Sequence, residues 1–126
     1  MKRVLIALIA LSLTLTVSLY AMHRVESTHR SFSAAADNID RALAAEDMPQ
    51  TLAAIRALDS YWQEESDFLG HFTRHSLLDA VSGGIALLYP LAEYGECAWL
   101  RAEMESLRRQ VEKLREEELF RLTNIF

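Results

Sequence analysis

The chain has 126 residues, which allows one folded domain and a targeting segment. Its formal net charge is −5, yet residues 4–22 are uncharged, and all 18 acidic residues lie beyond them. An acidic domain is a poor partner for nucleic acid, which requires clustered Lys and Arg, and anionic lipid head groups would repel it except at an anchor. We therefore predict no nucleic-acid partner.

The N-terminal segment has the order of a signal sequence, with Lys2 and Arg3 before an apolar run. As a helix, residues 4–22 would extend roughly 28 Å, close to the ~30 Å thickness of the hydrocarbon core. Ten of them are Leu, Ile or Val, and each favours insertion by about 0.3 to 0.6 kcal/mol. We predict that residues 1–22 form a membrane anchor that contacts the lipid bilayer through residues 4–22.

The basic residues at the start predict a single-pass protein of the cell membrane, with a cytoplasmic N-terminus and an extracytoplasmic C-terminal domain over residues 23–126. The alternative is a signal sequence that is cleaved after Ala21. Such a cut would place Leu19 where the cleavage rule requires a small residue. An uncleaved anchor is therefore favoured.

Residues 23–126 have the periodicity of an all-α domain. Apolar residues at helical spacing predict four helices joined by short connections near residues 46–49, 70–75 and 94–96. We therefore predict an N-terminal transmembrane helix followed by a four-helix up-down bundle of two helical hairpins. The predicted inward-facing residues are Val25, Phe32, Ala36, Ile39 and Leu43, then Leu52, Ile55, Leu58, Trp62 and Leu69, then Leu78, Val81, Ile85 and Leu88, and finally Leu100, Met104, Leu107, Val111 and Leu114.

Local signals mark several helix ends. Asp47 followed by a proline predicts an N-terminal cap for the second helix, and Gly70 predicts its end. Ser76 with Asp79 predicts a cap for the third helix. Within that helix, the Gly83-Gly84 pair either permits close backbone approach or merely weakens the helix.

Asp67, His71, His75 and Asp79 follow one another at intervals of four residues. On a continuous helix they would be neighbours, and two His with carboxylates can ligate zinc. Gly70 makes such continuity doubtful, so the simpler interpretation is a hydrogen-bonded His75–Asp79 pair at the start of the third helix. We predict no metal ion or other cofactor, and the alternative function is a small-ligand or metal site centred on His75 and Asp79.

Several other residues have both a functional and a structural interpretation. The aromatic residues Tyr61, Trp62, Phe68 and Phe72 can form a ligand platform, but at helical spacing such residues are more often core. Trp99 falls off the apolar stripe of the fourth helix, so it is expected to be exposed and to mark a partner surface. The single Cys97 is expected to be a packed thiol, and the run Glu116-Glu117-Glu118 a solvated face.

Two segments carry a family resemblance. Residues 72–79, Phe-Thr-Arg-His-Ser-Leu-Leu-Asp, and the ending Leu122-Thr123-Asn124-Ile125-Phe126 resemble the small membrane-anchored bacterial proteins catalogued as domain of unknown function 4363. The resemblance covers nearly the whole chain, although Lys113-Leu114-Arg115 stands where that family commonly has His-x-Pro. It implies a membrane-anchored helical domain of unassigned function and supplies no catalytic residues.

The sequence contains no phosphate-binding loop and no nucleophile elbow, so we predict that the protein is not an enzyme. We expect a structural or protein-interaction module that docks a protein partner at the membrane surface. The partner would contact exposed parts of the third and fourth helices and the C-terminal tail. The candidate positions are Trp62, His75, Asp79, Asn124, Ile125 and Phe126.

Overall fold

The computed structural model describes residues 1–71 and 73–124. These form four helices, α1 (Lys2–Ala44), α2 (Met48–Leu69), α3 (His75–Glu93) and α4 (Cys97–Thr123). No strand occurs in these two ranges. The all-α prediction is therefore confirmed, and the three connections lie within about two residues of the predicted ones.

The predicted anchor and the first domain helix form one uninterrupted helix. α1 has 43 residues and contains neither Gly nor Pro, so nothing in its sequence interrupts the hydrogen-bond ladder. Its N-terminal part is long and apolar enough to cross a membrane. Only 6% of its most apolar 18-residue stretch is buried inside the protein. Its C-terminal half buries Phe32, Ala36 and Ile39. No helix end therefore separates the apolar segment from the domain.

The core consists of the apolar stripes of all four helices. Every predicted inward-facing residue is buried except Val25 and Leu52, which are half-buried. Trp62 lies near the centre, with its ring edge-on to that of Phe32 at 6.1 Å between centroids. Its indole Nε1–H donates a hydrogen bond of 2.8 Å to Oγ of Ser82. The helical periodicity thus correctly identifies the core.

Each helix contacts two others, in the pairs α1–α2, α2–α3, α3–α4 and α1–α4. Two ion pairs show how α1 and α4 are aligned. Glu26 contacts Arg115, and Asp37, which lies further along α1, contacts Arg108, which lies earlier in α4. We call the end formed by residues 17–25, 68–71, 73–75 and 118–124 the base. The opposite end, formed by residues 42–48 and 91–99, is the tip.

The sequence predicts a side-chain cap for α2 and another for α3, and only the first is present. Asp47 caps α2 as predicted, because its side chain accepts a hydrogen bond of 3.1 Å from the backbone N–H of Gln50. The predicted Ser76–Asp79 cap of α3 is wrong. That helix begins at His75, after Arg74, and has no side-chain cap.

The Gly83-Gly84 pair contains one tightly packed and one open position. A Cβ atom on Gly84 would lie 2.5 Å from Cδ2 of Leu107 on α4, whereas a Cβ on Gly83 would meet nothing within 4 Å. Gly84 therefore permits the close approach of α3 and α4.

Candidate functional site

The two predicted site residues His75 and Asp79 lie in the first turns of α3, at the base, and both are exposed. With Asp67 and His71 they line an open depression of about 490 Å³. The predicted His75–Asp79 hydrogen bond is wrong, since no bond joins them in the described part of the chain. Nor is any group of three or more His, Cys, Asp or Glu residues there arranged to hold a metal ion. The spacing of four fails to build a cluster because α2 ends at Leu69, between its first two members.

The other candidate positions are separated in space. Trp62 is a core residue with 1% of its surface exposed. Asn124 is the exposed C-cap of α4, and its backbone N–H donates to the carbonyl of Phe120. Ile125 and Phe126 lie outside the described residues, as does Phe72 of the aromatic stretch. The described residues thus do not bring the candidate positions together into one site.

A pocket of about 670 Å³ lies at the base of the bundle, and we call it the base pocket. It is formed by α1, the end of α2, the connection between α2 and α3, and the end of α4. Its volume falls within the roughly 300–1,000 Å³ typical of small-molecule sites. The lining residues are Val17, Tyr20, Ala21, Arg24, Val25, Phe68, Leu69, His71, Thr73, Glu118, Phe120, Arg121, Leu122 and Asn124.

Two buried polar residues stand in the largely apolar lining of the base pocket. Thr73 is 7% exposed, and its Oγ1 atom has no hydrogen-bond partner among the described residues. Glu118 is 8% exposed, and its carboxylate accepts a hydrogen bond of 3.1 Å from Arg121. Buried polar groups are normally satisfied, so an unpaired hydroxyl in a pocket wall is a feature that requires explanation.

Arg24 is a charged residue in the wall of the base pocket. Its guanidinium donates to Glu65 at 3.0 Å and lies over the ring of Phe68, 4.3 Å from the centroid. Thr28 donates to the other carboxylate oxygen of Glu65 at 3.0 Å. Arg24 is thus held by an ion pair and a cation–π contact, which fixes a positive charge at the pocket.

Glu118 was not among the candidate residues predicted from the sequence. Its expected solvated position is wrong, although Glu116 is exposed as expected. The buried stripe of α4 advances by alternating steps of four and three residues, and one further step of four beyond Leu114 reaches Glu118. Extending the apolar pattern past its last apolar member would have identified this buried carboxylate.

A row of polar contacts joins α1 to α4 above the base. Arg115 contacts Glu26 at 2.9 Å and Glu112 at 2.8 Å, and Glu112 also contacts Nε2 of His29 at 2.7 Å. The hydrogen bond from Arg115, followed by its positive charge, lowers the pKa of Glu26 below its ordinary value. The Arg115–Glu26 and Glu112–His29 contacts each link residues more than eighty positions apart, and the sequence did not predict them.

The tip exposes three side chains that are unusual on a polar surface. Tyr94 is 81% exposed and Trp99 is 57% exposed. The expected exposure of Trp99 is therefore confirmed. The expected packing of Cys97 is wrong, because this residue is exposed at the first position of α4, off the buried stripe.

Comparison with known proteins gives one family match. The family model described as "Domain of unknown function (DUF4363)" matches residues 19–125, which is most of the chain. No curated protein and no solved structure matches the chain.

Proposed function

The chain belongs to the family described as domain of unknown function DUF4363, and we propose that this member is a membrane-anchored protein-interaction module. In this proposal, residues 4–22 of α1 span the bilayer, and residues 23–126 form an up-down bundle on the extracytoplasmic side. The role is non-enzymatic, and the bundle docks a protein partner near the membrane surface. The uninterrupted α1 is the single observation on which the proposal depends.

The course of α1 supports the anchor. Residues 1–17 are all exposed, although ten of the residues in the stretch 4–22 are Leu, Ile or Val. Exposing so large an apolar surface to water is unfavourable, whereas a bilayer would cover it. Residues 23–44 continue as helix for roughly 33 Å at 1.5 Å per residue, so the tip would stand that far from the membrane surface.

Alkaline extraction of membranes from cells that express the full chain tests the anchor. We expect the protein to remain in the membrane fraction at its full mass. Leu11→Asp places a charge at the centre of the apolar segment, which opposes insertion by about 3 kcal/mol and should release the protein. Leu11→Ala is the matched control and should leave it membrane-bound. Release of the unchanged protein, or a mature N-terminus near Met22, would refute the anchor.

The topology is tested separately by protease treatment of intact spheroplasts. A protease added outside should digest residues 23–126, because the proposal places them on the extracytoplasmic side. Protection of the domain until the membrane is permeabilised would place it in the cytoplasm instead.

The tip supports the interaction role. Tyr94 and Trp99 place two large aromatic side chains at the junction of α3 and α4, the two helices expected to contact a partner. Exposed aromatic residues of this kind are frequent at the centres of protein interfaces. The C-terminal tail, Asn124-Ile125-Phe126, remains a second candidate contact.

Crosslinking in native membranes tests the tip. We expect Trp99→Ser to reduce a crosslinked partner band, with no change in the melting temperature of the purified protein. Glu105→Ser changes an exposed residue of the same helix, away from the tip and the base, and serves as the control. Equal yields from both variants and the unchanged protein would argue against the tip. Deleting residues 122–126 tests the tail, which should either lower stability or abolish capture.

A further inference from the structure

We infer that the base pocket binds an acyl chain of a membrane lipid, taken from the bilayer leaflet next to the bundle. This inference rests on the proposed membrane anchor and extends it, because it assigns a ligand class to a defined pocket.

The position of the base pocket supports this ligand first. Val17, Tyr20 and Ala21 line the pocket and belong to the charge-free stretch, whereas Arg24, which also lines it, is charged. The pocket therefore spans the level at which hydrocarbon gives way to head groups. A lipid chain can enter from the side without passing through water.

Exposed aromatic residues mark the same level. Tyr20 is 59% exposed and Phe120 is 68% exposed, and both line the base pocket. Trp and Tyr side chains are enriched at membrane–water interfaces, because their amphipathic rings lie among the head groups. The exposed ring of Phe120 at the end of α4 is apolar, and contact with the bilayer would remove it from water.

The chemistry of the lining fits a lipid. Most of the wall is apolar, including Phe68, Leu69 and Leu122, which suits a hydrocarbon chain. The Thr73 hydroxyl is buried and unpaired among the residues that the structure describes. An ester carbonyl at the glycerol end of the lipid is a hydrogen-bond acceptor of the kind that this hydroxyl lacks.

The charges near the base pocket are paired. Arg24 contacts Glu65, and Arg121 contacts Glu118. Because each positive charge has a carboxylate beside it, attraction to an anionic head group is weak. We therefore expect the acyl chain, and not the head-group charge, to determine binding.

Photocrosslinking of the full chain in vesicles tests the inference. The photoreactive amino acid p-benzoylphenylalanine replaces Leu122 in the pocket wall, and the vesicles contain dioleoyl phosphatidylethanolamine and dioleoyl phosphatidylglycerol. We expect irradiation to add the mass of either lipid to the protein. Ala21→Trp should fill the pocket and abolish that adduct. Leu19→Trp, on the same helix but outside the pocket lining, is the matched control and should preserve it.

The outcomes separate the possible occupants. Equal yields of lipid adduct from the Ala21→Trp and Leu19→Trp proteins would mean that the photoreactive group reacts with lipid of the surrounding bilayer and not with lipid in the pocket. That result would overturn the inference. So would an adduct formed solely with another protein or with the chain's own C-terminus. If Ala21→Trp lowers the melting temperature, Val17→Trp, at an exposed position of the pocket wall, replaces it.

Alkaline extraction of the same vesicles distinguishes the two proposals. A protein that resists extraction but gives no pocket-dependent adduct overturns the lipid site and leaves the anchor intact. A protein that is released refutes the anchor.

Discussion

Glu46 and Gly95 occupy equivalent positions in the two turns at the tip, and both have a positive φ, 56° for Glu46 and 70° for Gly95. In each turn this residue donates a hydrogen bond to the carbonyl three residues earlier. The next residue donates to the carbonyl five residues before it. This is the Schellman arrangement, which closes a helix and normally has Gly at the left-handed position. α3 therefore ends with the favoured residue, whereas α1 ends with a strained one.

We predict that Glu46→Gly stabilises the protein and that Gly95→Ala destabilises it. A Cβ atom makes unfavourable steric contacts in the left-handed region, which favours Gly there. The greater conformational freedom of Gly in the unfolded chain opposes this effect in part. The expected change in the free energy of unfolding is about 0.5–1 kcal/mol in each direction. Urea denaturation of the full chain in detergent measures both. A loss of stability in Glu46→Gly would contradict the assignment of strain.

The contact between Gly84 and Leu107 predicts a contrast between neighbouring glycines. Gly84→Ala should lower the free energy of unfolding by about 1–3 kcal/mol, because Leu107 is fully buried and has little room to move. Gly83→Ala should instead raise it by up to about 1 kcal/mol through better helix propensity. Thermal melts of the two variants, followed by circular dichroism, make the comparison. Similar effects from both would show that the helices can separate without cost.

The unpaired Thr73 hydroxyl predicts an uncommon stabilising substitution. Thr73→Val keeps the shape of the side chain and removes a buried polar atom, so it should stabilise the lipid-free protein by about 1 kcal/mol. Melting in a detergent without phospholipid measures this effect. Thr51→Val is the control. The Thr51 hydroxyl donates a hydrogen bond of 2.8 Å to the Asp47 carbonyl, so its removal should lower the stability of the protein.

The Tyr89–Asp59 hydrogen bond predicts a loss of stability at alkaline pH. Burial, together with this bond of 2.8 Å, raises the pKa of Tyr89 from its ordinary 10 to about 12. Below pH 10 the phenol is protonated in both states, and its contribution to stability is fully present. Between pH 10 and 12 the unfolded chain releases the proton first, so the contribution is lost as the pH rises.

Tyr89→Phe should remove this alkaline slope. Ultraviolet titration of tyrosinate should show one fewer phenol with a raised pKa, and urea denaturation across the same range should show a flatter dependence on pH. Tyr94→Phe, at an exposed position, is the control and should change neither. A Tyr89 that titrates near 10 in the folded protein would disprove the contribution of its bond to Asp59.

The helices, their buried stripes and most of their ends could be predicted from the residue pattern alone. These features depend on residues close together along the chain: the four-three spacing from Leu100 to Leu114, the Asp47 cap and the uncharged run before His23. The spacing of a helix is fixed by its 3.6-residue turn, so an apolar pattern of that period indicates both the helix and its inner face. The same local logic failed for the series Asp67, His71, His75 and Asp79, because the connection between α2 and α3 interrupts its helical spacing.

The residue pattern did not indicate which distant side chains contact one another, because those contacts depend on how the helices pack. Arg115 pairs with Glu26, 89 positions away, and the base pocket joins Ala21 of α1 to Leu122 of α4. Nothing local to either partner specifies such contacts, since they depend on how neighbouring helices are aligned and rotated against each other. The burial of Glu118 and of the unpaired Thr73 hydroxyl also depends on tertiary structure, because the packing of the helices removes both side chains from water.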